Sequence, residues 1–66
     1  MKVEIFNHDR TCVMLDLDFV PRVGELVCLK VTDDYTIEGK VREVNHWLDK
    51  REPSKNQVLV FLEPSK

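Results

Sequence analysis

Glycine and proline are scarce, two and three in 66 residues, which excludes a collagen-like or low-complexity chain. Cysteine is scarce too: Cys12 and Cys28 are too few for a disulfide scaffold, and in a reducing compartment they stay as thiols. No apolar stretch is long enough for a signal peptide or a membrane span, because Met1 leads directly into the alternating run Lys2-Val3-Glu4-Ile5. The expected compartment is therefore the cytoplasm, with no membrane contact. An excess of positive charge is also missing. Ten Lys and Arg against twelve Asp and Glu leave a net charge of −2, without the positive field that most nucleic-acid binders use to attract phosphate.

What is present is globular. With 42% hydrophobic and 33% charged residues, the chain reads as a folded domain rather than a disordered or fibrous one. It makes one domain, residues 1–66, and a chain this short buries only about 60% of the surface that its unfolded form exposes. The core must be economical, or a partner must help. Charge is uneven along the chain: residues 1–39 hold four basic and eight acidic side chains, and residues 40–66 hold six and four. The halves come to −4 and +2.

Alternation dominates the pattern. Lys2 to Phe6 sets Val3 and Ile5 against Lys2 and Glu4, and the polar Asn7-His8-Asp9-Arg10 suits a hairpin connection. Thr11 to Val20 places Val13, Leu15, Leu17 and Phe19 on one face and Cys12, Met14, Asp16 and Asp18 on the other, which a helix would scatter. Pro21 ends that run, and Gly24 gives a backbone angle closed to other residues. Glu25 to Val31 is apolar on both faces near its start, with Val27, Leu29 and Val31 opposed to Leu26 and Cys28. Such a strand is expected in the middle of the sheet. After a turn at Thr32-Asp33-Asp34-Tyr35, Thr36 to Val44 resumes as a strand. There the step from Val41 to Val44 is three rather than two, which predicts a β-bulge or bend after Arg42. Asn45 to Asn56 is expected as the longest loop, and Gln57 to Leu62 as the last strand, stopped by Pro64.

Five short strands predict an all-β fold: a small five-stranded antiparallel barrel or strongly curled sheet, since curling removes the exposed edges of a flat one. The lead-in Pro21-Arg22-Val23-Gly24-Glu25, the bend Gly39-x-Val41-x-x-Val44 and the closing run Val58 to Leu62 resemble the SH3-like group of small barrels. The resemblance covers residues 21 to 62 and is one of shape. It implies a binding module for peptides, nucleic acid or larger assemblies. The chain lacks the loop of clustered acidic and aromatic residues that would suggest a groove for proline-rich peptides. It also looks like the small accessory proteins of bacteria and their phages.

Chemistry is thinly represented. Cys12 or Cys28 with His8 or His46 is the only nucleophile and base pairing available, and apolar strand surroundings raise a thiol's pKa. His8, Asp9, Cys12, Cys28 and His46 lack the short spacings of structural zinc sites, so no metal or other cofactor is expected. Asp16 and Asp18 would sit about 7 Å apart on one strand face, but no small-molecule pocket accompanies them and they read as solvated acids. An enzyme is not expected.

Surfaces are more informative. Val3, Ile5, Val13, Leu15, Leu17, Phe19, Val27, Leu29, Ile37, Val41, Val58, Val60 and Leu62 form the expected core. That leaves Phe6, Met14, Leu26, Cys28, Trp47, Leu48, Leu59 and Phe61 over. Either the loop 45–56 covers them, or they form an apolar patch that binds another protein or a second copy of the chain. The leading expectation is a non-enzymatic protein-interaction module, monomer or homodimer. It would bind at the barrel end where the bend delivers His46, Trp47 and Leu48 beside Leu59 and Phe61. A second reading is a nucleic-acid-associated barrel using Lys40, Arg42, Lys50, Arg51 and Lys55 around Trp47. A third is a phage-type inhibitor whose acidic first half, with Asp16, Asp18, Asp33 and Asp34, meets a basic surface on a host nucleic-acid enzyme.

Overall fold

The first two runs of alternation fold back on each other. A computed structural model describes residues 1–65, and in it β1 (Lys2–Phe6) pairs antiparallel with β2 (Cys12–Asp16). The connection closes as the polar residues predict. Asn7 N–H donates to the Thr11 carbonyl at 2.8 Å, and Arg10 takes the left-handed φ of 75° that the turn requires. The Asp9 carboxylate accepts both the backbone N–H and the hydroxyl of Thr11. A second hairpin joins β3 (Leu26–Thr32) to β4 (Tyr35–Trp47) across Asp33-Asp34, where the Thr32 hydroxyl accepts from Asp34 N–H at 3.2 Å. A short 3-10 turn at Pro53–Lys55 precedes β5 (Gln57–Glu63).

The five strands make one sheet in the order β2-β1-β5-β4-β3. It curls until its end strands approach, and the Tyr35 hydroxyl donates to the Thr11 hydroxyl at 2.9 Å across the gap. The result is a small, nearly closed all-β barrel whose open seam lies between β2 and β3. Two expectations need correction. The sheet is mixed rather than antiparallel throughout, because β5 runs parallel to β1, with Val3 beside Val58 and Ile5 beside Val60. Side-chain alternation is the same in either direction along a strand, so the pattern held no sign of this. The middle strand is β5, not β3. The apolar second face of β3 marks the open seam, and Leu26 there is 71% exposed.

The barrel interior holds Val3, Ile5, Ile37, Val41, Val58, Val60 and Leu62, with Val13, Leu15, Leu17, Val27 and Leu29 half-buried against them. Phe19 departs from the expected core and is 64% exposed. β2 stops at Asp16, short of the expected Val20, so the alternation beyond it no longer fixes a face. Gly24 takes φ of 94° and its N–H donates to the Val41 carbonyl at 2.9 Å, swinging the chain into β3. At Gly39 a Cβ would lie 2.7 Å from the Glu63 carbonyl oxygen, so only glycine lets β4 pass β5 this closely. The register slips between Val41 and Glu43. That is the predicted bulge, and it turns both Val41 and Val44 inward. β4 then continues through Asn45, His46 and Trp47, opposite Leu59, Val58 and Gln57. The long connection therefore begins at Leu48 rather than Asn45.

Candidate functional site

Because Val58, Val60 and Leu62 point into the barrel, Leu59 and Phe61 point out from its central strand. The parallel register sets Phe6 of β1 beside Phe61, and the two rings stack with centroids 4.8 Å apart and planes 12° apart. The Arg42 guanidinium lies 5.8 Å from the Phe61 ring centre, within cation–π range. Cys12 of β2 extends this row beyond Phe6. The next row runs Met14, Glu4, Leu59, Asn45, and the one after it Asp16, Lys2, Gln57, Trp47. Trp47 is thus the diagonal neighbour of Leu59 on the same face, and it is 63% exposed. The apolar strip here is Phe6, Phe61 and Leu59 on β1 and β5, half-buried, with exposed Trp47 diagonal to Leu59 and exposed Met14 beyond Glu4.

The structure divides the expected site residues. Trp47, Leu59 and Phe61 share this outer face. His46, one place off in the alternation, turns to the other side with Leu48, where they meet Met1, Val20 and Asn56 around a cleft of about 310 Å³ at the barrel end. Phe6 and Met14, which sequence reasoning left over without placing them in the site, join the strip through the β1–β5 and β1–β2 registers.

The cations expected to contact nucleic acid are all exposed, and three of them have an acid alongside. Lys40 is opposite Glu63 in the ladder, Arg42 lies 3.8 Å from Glu43, and Lys55 Nζ lies 3.2 Å from Glu52. Lys50 and Arg51 stand on the connection 48–56. The Asp49 carboxylate tethers that connection by accepting from Arg51 and Glu52 N–H, and Asn56 ties it back by accepting from Asp49 N–H at 2.7 Å.

Both cysteines are exposed; Cys28 lies among Leu26, Val27 and Leu29 at the seam, as expected of apolar strand surroundings, and Cys12 is opposite Phe6. The Cys12 thiol is held above its ordinary pKa, chiefly by hydrogen bonding to the Glu4 carboxylate, the opposite of what activates a cysteine nucleophile. Asp16 meets the amino group of Met1 at 2.7 Å, and that hydrogen bond holds its carboxyl below the ordinary value. Among the described residues, no three His, Cys, Asp or Glu side chains gather to hold a metal ion, and no helix is long and apolar enough to cross a membrane.

The seam forms the second notable surface. Leu15, Leu17 and Phe19 on one side and Leu26, Val27 and Leu29 on the other line a cleft of about 340 Å³, with Ile5 contributing from β1. Comparison with protein-family models, curated proteins and solved structures finds no match to this chain.

Proposed function

We propose that the protein is a non-enzymatic protein-interaction module, an SH3-like barrel in shape, which binds another protein or a second copy of itself through the outer face of β1, β5 and β4. The observation that carries this reading is the apolar strip of Phe6, Phe61 and Leu59, with exposed Trp47 diagonal to Leu59 and exposed Met14 beyond Glu4, on a sheet whose described strands pack chiefly against their ladder neighbours. Contiguous apolar surface is uncommon on monomers and marks interaction sites. Trp and Arg are the residues that most often anchor them, and Trp47 and Arg42 border the strip from β4. Free thiols at Cys12 and Cys28 suit a reducing compartment such as the cytoplasm. The nucleic-acid reading has less support, because the acids beside Lys40, Arg42 and Lys55 offset the charge that phosphate binding needs.

The mass of the protein in solution and its capture of partners, measured for the wild type, Trp47→Ala and Phe61→Asp, test the proposal. The expected outcome is self-association or specific capture by the wild type that either substitution weakens at least tenfold, with far-UV circular dichroism unchanged for Trp47→Ala. A strictly monomeric wild type that captures no protein from a lysate overturns it.

A further inference from the structure

We infer that Tyr35, Thr11 and Asp9 form a clasp that holds the seam between β2 and β3 shut, and that releasing it lets the barrel open like a jaw about the connection 17–25. The two end strands of the sheet share no ladder, so backbone pairing does not close the barrel. At one end of the seam the chain itself joins them, running from Asp16 to Leu26. That end is pinned further: Leu17 N–H donates to the Met1 carbonyl and Val41 N–H to the Glu25 carbonyl, both at 2.9 Å. Pro21 between them is buried. At the other end, among the described residues, the Tyr35–Thr11 bond is the only hydrogen bond between the two hairpins.

Both ends of this bond are held in place by their own turns. Thr11 closes the β1–β2 turn: its carbonyl accepts from Asn7 N–H at 2.8 Å, and its N–H and hydroxyl both donate to the Asp9 carboxylate. Tyr35 opens β4 opposite Thr32, across the two-residue turn Asp33-Asp34. Little freedom is left to lose when the two meet, unlike a pair of long surface side chains. The Thr11 hydroxyl gives its proton to Asp9, so it turns a lone pair toward Tyr35. A carboxylate at the end of such a row strengthens the bonds that feed it.

The parts that the clasp brings together are otherwise held only by side-chain packing. Val13 and Leu15 on β2, and Leu29 and Val31 on β3, lie half-buried against the core. Opening the seam uncovers these four while the ladders that join β1, β5 and β4 stay intact. The open form is therefore a local one, reached without unfolding the centre of the sheet.

Methyl relaxation dispersion on the full chain tests this, comparing the wild type with Tyr35→Phe, Asp9→Asn and the double variant. Tyr35→Phe keeps the ring and removes only the hydroxyl. The expected result is that the open fraction read at Val13, Leu15, Leu29 and Val31 rises about two- to tenfold in Tyr35→Phe, the worth of one neutral hydrogen bond. Exchange at Val58 and Val60 should not change. Asp9→Asn should raise the open fraction as well, and the double variant should match Tyr35→Phe alone, because the charge acts through the hydroxyl that has been lost. Three results overturn the inference: seam methyls that do not respond to Tyr35→Phe, a rise shared equally by Val58 and Val60, or additive effects of the two substitutions.

Discussion

At the residue scale, two positions show how little freedom the fold leaves. A methyl group added at Gly39 would meet the Glu63 backbone carbonyl and the Leu62 Cβ, and backbone on a paired strand cannot move aside cheaply. Gly39→Ala is expected to lower stability by about 1–3 kcal/mol, the usual cost of overpacking, read as a fall in the urea midpoint. Asp9 is a pH-sensitive residue of the β1–β2 turn. Hydrogen bonds from the Thr11 hydroxyl and N–H hold its carboxyl below the ordinary value. A depressed folded pKa stabilises the protein above the unfolded pKa, and that contribution is lost as pH falls through the folded one. Urea midpoints of wild type and Asp9→Asn should therefore differ most near neutrality and converge in acid. A constant gap would show that the carboxylate charge is not what matters there.

At the scale of elements, the strand order makes a prediction that alternation could not. β5 is paired on both sides, while β2 and β3 are each paired on one. Native-state hydrogen exchange should find the slowest amides at Val58 to Leu62 and faster ones along the outer edges of β2 and β3. The reverse order would mean that β3 is covered in solution. Much at this scale was legible in the sequence. The turn at Asn7 to Arg10 follows from its polar run, the Asp33-Asp34 turn from composition, and the bulge at Arg42 from the three-residue step between Val41 and Val44. The full length of β4 was not, because Asn45, His46 and Trp47 look like loop by side chain, whereas their pairing with Leu59, Val58 and Gln57 is made by backbone. The end of β2 at Asp16 was equally hidden, since the alternation runs on to Phe19 after the ladder has stopped.

At the scale of the whole molecule, a barrel of this size has few places to put its spare apolar residues. Among the described residues, seven aliphatic side chains make up the buried core cluster. Others pack half-buried against them, and the rest fall on the outer strip, at the seam, or at the barrel end with Leu48 and Val20. The grouping of Trp47 with Leu59 and Phe61 follows from the β4–β5 register, while His46 and Leu48 are carried to the barrel end by one step of alternation. The outer face and the seam are carried by different residues, Trp47, Leu59 and Phe61 on one and Leu15, Phe19 and Leu26 on the other.

The sequence by itself determined the class, the number of strands, their inward faces as far as the ladders extend, and the turns at Asn7 to Arg10 and Asp33-Asp34. These depend on local periodicity and on the backbone preferences of Gly, Pro, Asn and Asp, which act over a few residues. Only the tertiary structure decided that β5 lies at the centre beside a parallel β1, that β3 is an edge, and that Phe6 stacks on Phe61. Strand order and direction arise from pairing between distant segments, and a side-chain pattern with a period of two is blind to both.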